Sequence, residues 1–129
     1  MTPITFKLSG GIVPKARARV TRHGTFMPKN YQNWKTAAIV DFRLQYAALG
    51  QVEALEGVSV DILLSGKHSR RGDLDNISGA VLDALVQGGI LRNDNLICVL
   101  ALSIRLDYGK AEPITQINIA PILCTTGTG

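Results

Sequence analysis

Val58-Ser59-Val60-Asp61-Ile62-Leu63-Leu64-Ser65-Gly66 and, a few residues on, Asp73-Leu74-Asp75-Asn76-Ile77-Ser78-Gly79-Ala80-Val81-Leu82-Asp83-Ala84-Leu85 are the runs that decide the fold. In the first, Val58, Val60, Ile62 and Leu64 alternate with Ser59, Asp61 and Ser65, the period of a strand with one buried face, and Gly66 ends it. In the second, Ile77, Ala80, Val81, Ala84 and Leu85 fall at helical spacing; Gly88-Gly89 stops the helix, and Asn76, Gly79 and Asp83 lie on its opposite face. A strand therefore delivers the chain to a basic cluster, Lys67, His68, Arg70 and Arg71, and a helix leaves from an acidic one.

Working outward, Ile4, Phe6 and Leu8 alternate as a first strand that Gly10-Gly11 breaks. Lys15, Arg17 and Arg19 alternate with Ala16 and Ala18, so an extended chain puts the three cations on one face; the alternative is a solvated basic loop. Asn30 is positioned to cap a helix through Tyr31, Trp34, Ala37, Ala38, Val40, Phe42, Leu44 and Ala47, with Gly50 at its stop. Aromatics at this spacing are read as core rather than as platforms for bases. Leu96 to Arg105 reads as a buried strand, Ile114 to Ile119 alternates as another, and Asp107-Tyr108-Gly109-Lys110 between them is a hairpin-like connection. The order strand, basic rib, helix, strand, helix, strand, strand gives an α+β fold: a two-layer mixed β-sheet packed with two main helices, one domain over 1–124 with a flexible tail at 125–129.

The composition agrees. A chain of 129 residues with 46% hydrophobic and 19% charged residues suits one globular domain and excludes a disordered or fibrous protein. Its longest apolar run, Leu96 to Leu102, is far below the roughly 20 residues of a membrane-spanning helix, and residues 1–13 lack the apolar core of a signal peptide, which points to the cytoplasm. Cys98 and Cys124 have no zinc-site spacing and are read as structural. The net charge of +4 matters because it is concentrated: Lys15, Arg17, Arg19, Arg22, His23 and Lys29 form one group and residues 67–71 another, while Asp73, Asp75, Asp83 and Asp94 follow. Cations beside a carboxylate cluster suit a polyanion brought up to a metal.

Two carboxylates two residues apart project to one side of an extended chain but diverge by about 200° on a helix, so Asp73 and Asp75 are expected at the end of an extended segment, just before the helix. Their repulsion is normally offset by a bound cation or a nearby base, and hard oxygen donors suit Mg²⁺ or Mn²⁺. The competing reading is purely structural, with Asp73 capping the helix and Asp75 in its N-terminal dipole. An EF-hand is excluded, because Ser78 stands at its glycine position and Ala84 at its closing glutamate. There is no P-loop, GxGxxG or GxSxG motif, and His23 and His68 are read as phosphate contacts.

The longer string, Asp73-Leu74-Asp75-Asn76, Asp83-Ala84-Leu85, Gly88-Gly89-Ile90-Leu91 and Asn93-Asp94, resembles the RusA family of Holliday junction resolvases. Lys15-Ala16-Arg17-Ala18-Arg19 with Thr21-Arg22, Gly24, Pro28 and Tyr31 is similar to that family's basic amino-terminal pattern, so the resemblance spans Pro14 to Asp94. It implies that Asp73, Asp75 and Asp94 are catalytic and bind Mg²⁺, with Mn²⁺ an alternative, and that Asn76 and Asp83 support them. It also implies action on branched DNA that leaves a 5′ phosphate; because a four-way junction has approximate two-fold symmetry and a 13.9 kDa monomer is too small to hold it and carry two cutting sites, a homodimer is expected. Lys15, Arg17, Arg19, Arg22, Lys29, Lys67, Arg70 and Arg71 are then the DNA-binding residues, touching phosphate backbones. The chain departs from the pattern twice: Gly79 stands where the family carries a helical lysine, and Asn93 where many members carry an acid. Lys67, Arg71 and Lys110 are the candidates to replace that lysine.

Overall fold

The computed structural model describes residues 3–15, 19–70 and 72–122. Strand β1 is Ile4–Ser9, and a short hairpin follows, β2 at Arg19–Thr21 and β3 at Gly24–Phe26; then come helix α1 at Lys29–Ala48, strand β4 at Val58–Gly66, helix α2 at Leu74–Gln87, strand β5 at Val99–Tyr108 and strand β6 at Ile114–Pro121. The four long strands form one sheet in the order β1-β6-β4-β5, with β4 and β5 parallel and the other pairs antiparallel. Because parallel neighbours need a crossover, α2 carries the chain from β4 to β5. The α+β expectation, a mixed sheet layered with two main helices, therefore holds.

One face of the sheet is the core. Phe6, Leu8, Val60, Ile62, Leu64, Ile117 and Ile119 are buried there against Phe42 and Tyr46 of α1 and Ile77, Val81 and Leu85 of α2. Phe6 meets Phe42 edge to face at 5.3 Å, a favoured aromatic geometry. All five apolar positions expected on α2 are buried.

Several expectations are corrected. The cap of α1 is Pro28, without a side-chain bond, and Asn30 lies inside the first turn, its Oδ1 accepting from the Tyr31 N–H at 2.9 Å. Proline fixes the φ that a helix entry needs, so no polar cap is required two residues later. The inward stripe of α1 is Tyr31, Ala38, Phe42 and Tyr46, whereas Val40 and Leu44 face solvent. Leu96 and Ile97 precede β5 and are 85% and 72% exposed, and Leu100 and Leu102 are also exposed. The reading of 96–105 as a buried strand fails because β5 sits at the sheet's edge and the later β6 takes the interior place.

For the same reason β5 and β6 form no hairpin. They lie on opposite sides of β4, so the connection crosses the end of that strand. There the Lys67 N–H donates to the Ala111 carbonyl at 2.9 Å and the Gly109 N–H to the Gly66 carbonyl at 3.1 Å. Gly66 has φ +88°, and a Cβ there would overlap the Glu112 carbonyl, so only glycine fits.

The two sheet edges differ. On β1 the Lys7 N–H donates to Gln45 Oε1 at 3.1 Å and Gln45 Nε2 donates back to the Lys7 carbonyl at 2.8 Å, a side-chain amide standing in for a strand. No described residue does this for the outer edge of β5. Among the described residues no helix is long and apolar enough to cross a membrane. Residues 125–129 and Cys124 lie outside the described residues; Cys98 is buried and free.

Candidate active site

Asp73 is extended, at φ −126° and ψ 167°, and its Oδ1 accepts the Asn76 N–H at 2.9 Å, making it the N-cap of α2. Asp75 lies within the first helical turn, not before it. The expectation of one extended segment for both thus holds for Asp73 alone: the cap bond forces the chain into the helix immediately afterwards. Asp73, Asp75 and Asn76 are all exposed, with two carboxylates at the positive end of the helix dipole.

The segment ahead of the described break lies across this turn. Pro14 packs over Gly72, where a Cβ would come within 2.8 Å of its ring, and the Lys15 N–H donates to the Asn76 carbonyl at 2.9 Å. The Lys15 side chain then runs along the outer face of α2. A Cβ at Gly79 would lie 3.5 Å from Lys15 Cδ, and the ammonium reaches Asp83 Oδ2 at 3.0 Å. That same carboxylate oxygen accepts the Tyr31 hydroxyl at 3.2 Å, and burial together with the Asp83 charge holds the phenol well above the ordinary tyrosine range. The far end of α2 is held by Arg43, whose Nη2 and Nε donate to the Gln87 and Gly88 carbonyls at 3.1 and 3.3 Å.

On the other side of Asp73 a groove of about 380 Å³ is walled by Leu64, Leu74, Ile77 and Leu106, with Arg70 and Asp73 at its mouth. The Arg70 guanidinium sits 4.2 Å from the centre of the Tyr108 ring, an orientation that fixes its charge beside the site. His68 is no phosphate contact: it is 2% exposed, its Nδ1 accepts the Ile12 N–H at 3.2 Å and its Nε2 lies 2.9 Å from the Ile114 carbonyl. Those bonds require the neutral ring with the proton on Nε2. It ties the approach to Lys15 to the start of β6.

Asp94 is exposed in the connection between α2 and β5, with the Asn93 side chain bonded to its N–H at 2.7 Å. Among the described residues no three His, Cys, Asp or Glu side chains stand close enough to hold a metal ion, so Asp94 is not gathered with Asp73 and Asp75 here. The donor chemistry of the three nevertheless suits a hard divalent cation.

The model of the family described as endodeoxyribonuclease RusA matches residues 9–120. The chain belongs to the RusA endodeoxyribonuclease family. It is 31% identical over 121 residues to the crossover junction endodeoxyribonuclease RusA of Aquifex aeolicus (strain VF5), covering 92% of this chain and 93% of that protein.

Within this RusA domain, Lys15, Arg22, Lys29, Lys67 and Arg70 are exposed, and Arg22 sits in the β2–β3 turn. Arg17 and Arg71 lie outside the described residues, as does the side chain of Arg19, which opens β2. The lysine that lies against Gly79 is Lys15, which was not among the three expected candidates. Sequence reasoning also missed Tyr31 as a partner of Asp83, because nothing local signals a contact between residues 52 apart.

Proposed function

We propose that this RusA-family chain resolves four-way DNA junctions as a homodimer, making paired nicks with Mg²⁺, or Mn²⁺ in its place. The observation that carries this reading is the exposed carboxylate pair at the start of α2, with Arg70 lining the same groove as Asp73 and Lys15 bonded to the Asn76 carbonyl. Asp73, Asp75 and Asp94 would hold the metal, which supplies an activated water and charge stabilisation at the phosphate. The protein's own residues do the rest. Asp73 holds the start of the helix in place, Asn76 fixes the Lys15 backbone, and Asp83 holds its side chain. Lys15, Arg17, Arg19, Arg22, Lys29, Lys67, Arg70 and Arg71 would together supply a continuous basic surface for the phosphate backbones.

A second copy supplies the second cutting site for a substrate with approximate two-fold symmetry. Supporting it is the outer edge of β5, long, apolar and unsealed, whereas Gln45 seals that of β1. Antiparallel pairing of two β5 strands about Leu106 would set Arg105 of each copy opposite Asp107 of the other, a favourable cross-strand pair.

A gel shift comparing a synthetic four-way junction with linear duplex, followed by addition of Mg²⁺, tests the reading. Preference for the junction and metal-dependent nicks in opposite strands are expected. Junction binding without nicking would leave a branched-DNA-binding protein of the same fold, and equal affinity for duplex and junction would overturn the resolvase reading.

A further inference from the structure

We infer that Lys15 is the cation that meets the scissile phosphate, and that its pairing with Asp83 is a resting position. The inference rests on the resolvase reading for the identity of the phosphate and on the following geometry for everything else.

Asp75, Gly79 and Asp83 are spaced i, i+4 and i+8 on α2, so they stack along one face at intervals of about 6 Å. The stem of Lys15 lies over the middle of the three: Cβ and Cδ are 3.9 and 3.5 Å from where a Gly79 Cβ would stand. Its backbone is pinned at Asn76, next to Asp75. From that anchor the last two bonds of the side chain decide where the charge goes. Turned toward the C-terminus they place the ammonium on Asp83, as observed at 3.0 Å; turned toward the N-terminus they bring it to the turn that carries Asp75.

Three features make the second position accessible. The side chain of Lys15 is 47% exposed, so the ion pair with Asp83 is screened and weakly held. Gly79 has no side chain in the path between the two positions. Asp83 keeps the Tyr31 hydroxyl when the lysine leaves, so its carboxylate is not stranded. A phosphate arriving at the first turn, where negative charge develops on the non-bridging oxygens, draws the ammonium from Asp83. Lys15 stays protonated throughout; it transfers no proton and forms no bond, and contributes electrostatically.

The test compares wild type, Lys15→Met, Asp83→Asn and Lys15→Met with Gly79→Lys, using single-turnover nicking of a four-way junction. Junction binding without metal is measured against salt in parallel. Lys15→Met should slow nicking by about 100-fold or more, the usual loss for one transition-state donor. It should also lower the log-log salt slope of binding by about one, the signature of one lost phosphate contact. Asp83→Asn should nick at least about ten times faster than Lys15→Met, since it frees the cation instead of removing it. A lysine grown from position 79 reaches the same space, so the double variant should recover most of the lost rate. If Lys15 merely ties the amino-terminal segment to α2, then Lys15→Met and Asp83→Asn will fall together and the double variant will recover nothing; that result, or an unchanged salt slope, overturns the inference. A wild-type protein that binds junctions but never nicks them defeats the resolvase reading instead, and the salt slope still decides whether Lys15 touches phosphate.

Discussion

Helix α2 has two faces, and they follow different rules. The inner one, Ile77, Ala80, Val81, Ala84 and Leu85, is closed against β4 and α1 and makes no polar contact with its side chains. The outer one carries Asp75, Asn76, Gly79 and Asp83 and is overlaid by Lys15. The packed face tolerates little change in volume and no unpaired charge, while the outer face can lose charge with little effect on folding. One helix thus sets its packed residues only a position or two from those proposed for the chemistry, and the separation can be tested from either side.

The largest effect is expected from Asp75→Asn: junction nicking falls below detection, while junction binding is kept or strengthened and stability shifts by no more than about 0.5 kcal/mol. Loss of binding and of thermal stability together would make Asp75 part of the packing. On the inner face, Leu85→Ala should cost about 2–5 kcal/mol in urea unfolding, with nicking per folded molecule retained. Asp73 belongs to both regimes, so its two substitutions should part ways. Alanine removes the cap at a cost of about 1 kcal/mol; asparagine caps as well as aspartate, keeps the stability and still loses nicking.

Tyr31 joins the two faces and gives a pH test. Its hydroxyl is held above the ordinary range by burial and Asp83, so the unfolded chain ionises first as the solution becomes alkaline. Its contribution is complete below pH of about 10 and is lost as pH rises from there toward the folded value. Tyr31→Phe should flatten that decline in the urea midpoint. The smallest effect is Gly79→Ala, which should stabilise by at most about 1 kcal/mol, because the new methyl makes an ordinary 3.5 Å contact with Lys15. Destabilisation would mean that the lysine stem is packed more rigidly than its exposure indicates.

Much of this was legible in the residues themselves. The alternation of 58–66, the helical spacing from Ile77 to Leu85 and the glycines that follow report burial directly, and the structure agrees at each position. Position in the sheet was not legible: Val99 to Tyr108 is as apolar as a central strand, and only the later insertion of β6 puts it at an edge. The hairpin of β2 and β3 has three residues per strand, too few for a period to register. At the site, the closeness of Asp73 and Asp75 showed in their spacing, but the cap geometry that splits them between two conformations did not. The embrace of Asp83 by Lys15 and Tyr31 brings together three distant stretches of chain, and local pattern carries no information about such encounters.

The strand order also sets a timetable. β6 is the last of the described strands to be synthesised, yet it lies between β1 and β4 and hydrogen-bonds to both. A nascent chain halted before Ile114 therefore has β1, α1, β4 and α2 but no strand to join β1 to the rest, and His68 lacks the Ile114 carbonyl it bridges to. The sheet cannot close until nearly all of the described chain has left the ribosome. A product that stops short of β6 is therefore expected to lack the joined four-stranded sheet on which α2 and its first turn rest.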